Sequence, residues 1–92
     1  MNKTKLFSYL DALGIDKTGE LEPDRYILKL EDSDEYSRYY TILDQEDDLE
    51  LSDTSSMSQE FATVLTYTSE DYKLKLNANF VDDYYTFTVE EL

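Results

Sequence analysis

Twenty-two carboxylates, nine tyrosine hydroxyls and a complete lack of histidine and cysteine define the chemistry open to this chain. Without imidazole or thiol, it has neither the commonest general base, nor the commonest transition-metal ligand, nor a thiolate nucleophile. Disulfides are excluded on the same count. Carboxylate pairs remain, and glycosidases work with two of them, but a domain of 92 residues offers little room for a substrate cleft. The sequence contains no glycine-rich phosphate loop and no nucleophile elbow. A calcium loop needs glycine at its sixth position and glutamate at its twelfth. The window that starts at Asp16 has Thr18 and Glu20 in ligand positions but puts Leu21 sixth and Ile27 twelfth. The expectation is a protein that is not an enzyme, uses no cofactor and no metal, and works by binding.

Carboxylates in excess recognise positive charge. Against eight Lys and Arg they give a net charge of −14, well beyond the magnitude of about 2 to 8 that keeps a small domain soluble. Such an excess opposes folding through self-repulsion and so asks for a reason. It argues against direct contact with nucleic acid or an anionic membrane, both of which repel it. The expected partner is a basic DNA-binding protein or enzyme.

Distribution sharpens that expectation. Between Arg38 and Lys73 there is no basic residue, while Asp44, Glu46, Asp47, Asp48, Glu50, Asp53, Glu60, Glu70 and Asp71 supply nine carboxylates. A second cluster is Glu31, Asp32, Asp34 and Glu35. Carboxylates two residues apart on a strand project to one side about 6.7 Å from each other, the same order as phosphates along a DNA strand. A row of them on a stiff sheet can stand in for a nucleic-acid backbone. Affinity also needs an apolar anchor, for which Phe61, Met57 and outward-facing tyrosines are the candidates. The nine carboxylates and Phe61 form the predicted partner-binding set. The competing reading is a solvated acidic surface of a salt-adapted protein, against which the scarcity of alanine (Ala12, Ala62 and Ala78) argues.

These residues need elements to hold them. With 40% apolar residues and thirteen aromatics in periodic runs, the chain has the means to fold. Leu6, Tyr9, Leu10 and Leu13 fall at helical spacing between Asn2 and Gly14, a capping residue and a stop. Arg25 to Leu30 reads as a strand, EDSDE as an acidic turn, and Tyr36 to Leu43, rich in aromatic and β-branched residues, as a second strand. Asp44 to Glu60 reads as an acidic loop with a short strand or turn at Leu49 to Leu51. Phe61 to Thr68, Tyr72 to Phe80 and Tyr84 to Val89 follow as strands joined by the turns SED and VDD, a three-strand meander. The middle one alternates Tyr72, Leu74, Leu76, Ala78 and Phe80 with lysines and asparagines. The whole predicts one α+β domain, residues 1–92: an N-terminal amphipathic helix packed on an antiparallel sheet of about five strands. The N-terminus has no continuous apolar core of the kind a signal peptide requires, and no stretch is long enough to span a membrane. A monomer in the cytoplasm of a bacterial host is expected.

Size, acidity, lack of cysteine and this architecture together resemble the DNA-mimicking inhibitors of bacteriophages and mobile elements, notably uracil-DNA glycosylase inhibitors and acidic anti-CRISPR proteins. In the glycosylase inhibitors a Glu-Ser-Ile motif on an edge strand enters the DNA groove of the enzyme. The nearest run here is Gln59-Glu60-Phe61-Ala62-Thr63-Val64-Leu65, in which Glu60 matches and Phe61 and Ala62 depart. Thr68-Ser69-Glu70-Asp71-Tyr72-Lys73 also looks like a turn of that family, although the second helix expected between these elements has no counterpart in the reading above. What the resemblance implies is an inhibitor that blocks the basic DNA-binding groove of a host nucleic-acid enzyme. The alternative is an immunity or adaptor protein that binds a basic partner without imitating DNA.

Overall fold

The computed structural model describes residues 1–58 and 62–92, and the side chains of all of these except 56–58. The order of elements is α1 (Lys3–Leu13), β1 (Glu20–Leu21), β2 (Arg25–Leu30), α2 (Ser33–Gln45), β3 (Glu50–Ser58), β4 (Ala62–Thr68), β5 (Tyr72–Asn79) and β6 (Tyr84–Glu91). All strand pairings are antiparallel, in the order β1-β2-β6-β5-β4-β3. The α+β class, the N-terminal helix and the C-terminal meander are as the sequence implied.

Two segments differ from expectation. Tyr36 to Leu43 is not a strand but the body of α2, and EDSDE is its start rather than a turn. The Asp32 side chain accepts from Glu35 N at 2.9 Å, and the Glu35 carboxylate accepts from Glu31 N at 3.2 Å. This is the reciprocal arrangement of a capping box displaced by one residue. Tyr36, Tyr39, Tyr40 and Leu43 then recur at helical spacing. The second difference is β3, where a long acidic loop was expected. It holds few apolar residues because it is the sheet's edge and forms by backbone pairing with β4. With the two-residue β1, the sheet has six strands rather than five.

The core lies between one sheet face and both helices. Leu6, Leu10 and Leu13 of α1 and Tyr39 and Leu43 of α2 are buried against Tyr26, Leu28 and Leu30 of β2, Leu74 and Leu76 of β5, and Tyr85, Phe87 and Val89 of β6. The rings interlock edge-to-face, Phe7 on Tyr26 and Tyr39 on Phe87. Helix α1 ends at Gly14 with φ +76°, and Ile15 N donates to Leu10 O at 2.9 Å. That left-handed stop suits glycine best.

Helix α2 joins β2 to β3, two strands that run the same way on opposite sides of the sheet. Its thirteen residues span about 20 Å at 1.5 Å each. Crossing from β2 to β3 is four strand spacings, about 19 Å. The crossing carries the acidic C-terminus of α2 to the β3 edge.

Two buried tyrosines also hold the connection after α1. The Tyr26 hydroxyl donates to Asp16 O at 2.7 Å and accepts from Gly19 N at 2.9 Å, and the Tyr39 hydroxyl accepts from Asp16 N at 3.3 Å. The equally buried Tyr67 hydroxyl has no hydrogen-bond partner among the described residues. Tyr26→Phe is expected to destabilise the fold by about 1–3 kcal/mol, because two backbone groups lose their partner, whereas Tyr67→Phe is expected to be neutral or stabilising. Urea denaturation of the two variants checks the contrast.

Candidate functional site

The pairing register assigns each strand residue to a face. On the face without helices lie Glu20, Arg25, Lys29, Glu90, Lys73, Lys75, Glu50 and Asp53, interleaved with Thr66, Thr86, Thr88 and Asn77. Lys75 reaches Glu90 at 3.9 Å. Of the 21 carboxylates among the described residues (all but Glu60), four sit on this face with four of the eight basic residues, leaving seventeen against four elsewhere in the described residues. The open face is nearly neutral, and the surplus negative charge belongs to the helix layer and the ends of the strands.

At one end of the sheet the carboxylates form a row that runs across the strands rather than along one. It comprises Glu22 and Asp24 in the β1–β2 turn, Glu91 at the end of β6, Glu70 and Asp71 in the β4–β5 turn, and Asp48 and Glu50 entering β3. Adjacent strands lie about 4.8 Å apart, so the row extends roughly 19 Å from β2 to β3. The β4–β5 turn is held by Ser69 N donating to Tyr72 O at 2.8 Å and Tyr72 N donating to Ser69 Oγ at 3.1 Å. Glu70 and Asp71 are left exposed at its tip.

Asp44, Glu46, Asp47 and Asp48 reach this end through α2. Glu46 N donates to Leu43 O at 3.3 Å and Leu49 N to Glu46 O at 3.2 Å, turning the chain into β3. The last turn of α2 contains no basic residue. Carboxylates here meet the negative end of the helix dipole, where cations are the stabilising choice. The four ion pairs among the described residues are Lys5–Asp71, Lys17–Asp11, Arg25–Glu22 and Lys75–Glu90, and none of them engages Asp44, Glu46, Asp47, Asp48, Glu50 or Asp53.

Of the predicted set, the structure brings Asp44, Glu46, Asp47, Asp48, Glu50, Glu70 and Asp71 to one end of the molecule. Asp53 stands apart on the open face. Residues 50 and 53 would normally point to opposite faces; the register shift between Leu51 and Asp53 puts Glu50 opposite Thr68 and Asp53 opposite Thr66, on the same face. Inside the shift, Ser52 Oγ donates to Thr66 O at 3.2 Å. Glu60 and Phe61 lie outside the described residues, as does the side chain of Met57.

An exposed aromatic patch that the sequence pointed to only as outward-facing tyrosines occupies the opposite end. Phe80, Val81 and Tyr84 are 42–64% exposed. Phe80 packs edge-on to Tyr36 and Tyr85, and the Lys29 ammonium lies 5.5 Å from the Tyr84 ring centre. The β5–β6 turn presents this patch. Val81 N and Asp82 N donate to Asn79 Oδ1 at 3.1 and 3.0 Å, and Asp83 adopts φ +51°. No distance-independent sequence signal pairs Tyr36 with Phe80; the α2 crossing does.

Burial raises the pKa of Tyr9, Tyr26, Tyr36, Tyr39, Tyr67, Tyr72 and Tyr85 above the ordinary value of 10. Tyr67 is pushed up to about 12, chiefly by desolvation, with Tyr40 and Asp44 adding to it. The folded state thus retains protons that the unfolded state loses above pH 10, so this stabilisation is complete below pH 10 and disappears as pH climbs through about 12. Alkaline titration followed by tyrosinate absorbance is expected to show delayed ionisation and then cooperative unfolding in that window. Replacing Asp44 by lysine at the α2 C-terminus is expected to stabilise the fold by about 0.3–1 kcal/mol at low salt, measurable as a rise in melting temperature that fades in high salt.

No helix among the described residues is long and apolar enough to cross a membrane. Compared with known proteins, the chain matches no family model, no curated protein and no solved structure.

Proposed function

We propose that this protein acts by binding, with its rim of carboxylates taking the place of nucleic-acid phosphates in the basic groove of a host nucleic-acid enzyme. The observation that carries the reading is the row at the strand ends, where Asp47, Asp48, Glu50 and Glu70 have no ion-pair partner among the described residues. A helix C-terminus loaded with uncompensated carboxylates costs the free chain stability. Charges placed against their own fold gain most when a cationic surface arrives, and that surface also accelerates the encounter. The enzyme classes in view are uracil-DNA glycosylases and RNA-guided nucleases of a bacterial cytoplasm.

The exposed patch of Phe80, Val81 and Tyr84 favours a second reading, an adaptor or immunity protein that docks on a basic partner without imitating DNA. Competition separates the two. Under the first reading, titrating the chain against an enzyme–DNA complex displaces the DNA, with an affinity that drops steeply between low and moderate salt; a ternary complex of enzyme, DNA and this chain would overturn it. The triple variant Asp47→Lys, Asp48→Lys, Glu50→Lys is expected to lose partner binding while keeping its circular dichroism spectrum, and unchanged binding would rule out the rim.

A further inference from the structure

Three of the six large apolar side chains left exposed among the described residues, Phe80, Val81 and Tyr84, lie together at the β5–β6 hairpin. Single exposed apolar residues are ordinary on a protein surface, whereas a contiguous group marks a place where another molecule docks. The pairing register fixes their arrangement. Tyr84 pairs with Asn79 on the open face and stands beside Lys29, whose ammonium is 5.5 Å from its ring centre. Phe80 lies on the helix side, edge-on to Tyr36 at 6.3 Å and to Tyr85 at 6.0 Å. Val81, 64% exposed, sits between them at the tip. The hairpin end is therefore apolar on both flanks, the shape of a plug rather than of a groove.

This plug is held before any contact is made. Asn79 Oδ1 accepts from Val81 N and Asp82 N, and Asn79 Nδ2 donates to Asp82 Oδ2 at 3.1 Å. A turn already fixed has little freedom left to lose on binding.

Charge identifies what the plug fits. Asp82 and Asp83 belong to the turn, and Glu31, Asp32 and Asp34 reach the same end because Leu30 pairs with Tyr85 and α2 begins directly after it. All five are exposed, and none is in an ion pair among the described residues. An apolar anchor with a charged surround is the layout of a binding hot spot. A second copy offering the same turn would set five carboxylates against five, and an anionic membrane or a nucleic acid is repelled in the same way.

We propose that the β5–β6 turn is a second docking surface, and that its occupant is a protein with an apolar socket rimmed by lysine or arginine. Phe80, Val81 and Tyr84 enter the socket, and the surrounding carboxylates meet the basic rim. The inference rests on the adaptor reading given above and names the kind of partner surface that reading requires.

The test uses the full chain and a probe that isolates this chemistry: amino-modified β-cyclodextrin, an apolar cavity rimmed by ammonium groups. Plain β-cyclodextrin supplies the cavity without charge, and hexa-lysine supplies charge without a cavity. Each is titrated into the ¹⁵N-labelled protein, and affinity is read from the amides of residues 80–84. The amino-cyclodextrin is expected to bind there about fivefold more tightly than either control. Val81→Ser with Tyr84→Thr is expected to remove that advantage while the circular dichroism spectrum stays unchanged. Asp82→Asn with Asp83→Asn is expected to weaken binding about threefold and to flatten its salt dependence, asparagine being a residue that tolerates the positive φ of Asp83. Asp47→Asn with Asp48→Asn, at the opposite end, is expected to change it less than twofold. Hexa-lysine matching the amino-cyclodextrin at these amides, or undiminished binding by the Val81 and Tyr84 variant, would overturn the plug. Concentration-dependent shifts of the same amides in the chain alone would also overturn it, by making a second copy the occupant. An adaptor that holds its basic partner by another surface would fail this test and still bind that partner, so the two proposals fail separately.

Discussion

Helices cover only one face of this sheet, and most of the molecule's character follows from that constraint. Burying Tyr26, Leu28, Leu74, Leu76, Phe87 and Val89 under α1 and α2 supplies the core, and the opposite face must be compatible with water. Buried Thr66, Thr86 and Thr88 share that face with Ile27 and Val64, and equal numbers of acidic and basic side chains make it water-compatible, matched across strands as in Arg25, Glu90 and Lys73. A balanced open face leaves the net negative charge nowhere to go but the helix layer and the strand ends. The acidity is therefore local even though the composition makes it look diffuse.

The same constraint explains why the carboxylates run across the strands. A row along a strand would share its face with cross-strand lysines, which would neutralise it. At the strand ends the chain is in turns, side chains point outward, and neighbouring connections are brought within a strand spacing of each other. Segments as distant as Glu22, Asp48, Asp71 and Glu91 thereby contribute to one surface.

The sequence made the meander, the first helix and β2 legible because each has one buried face and a clean period, and the alternation from Tyr72 to Ala78 matches the observed burial residue by residue. Helix α2 was hidden because its tyrosines and isoleucine have strand propensity, while the cap formed by Asp32 and Glu35 that decides the matter is easily read as a turn. Strand β3 was hidden for the opposite reason: an edge strand held by backbone pairing needs no apolar alternation, so nothing in Glu50 to Ser58 distinguishes it from a loop. The acidic segment was recognisable as a binding candidate from its lack of bases. Its union with Glu70 and Asp71 was not, since it depends on where α2 deposits its C-terminus.

The displaced register at Ser52 has a consequence for the molecule's own company. Strand β3 leaves one long side of backbone donors and acceptors open, an invitation for a second copy to extend the sheet. Because the irregularity turns Glu50 and Asp53 toward the same side, an edge-to-edge meeting of two copies would set carboxylates near carboxylates, and β3 carries no lysine to offset them. Repulsion there would oppose such growth, so the acidity that loads the strand ends also bears on how copies of the chain can meet.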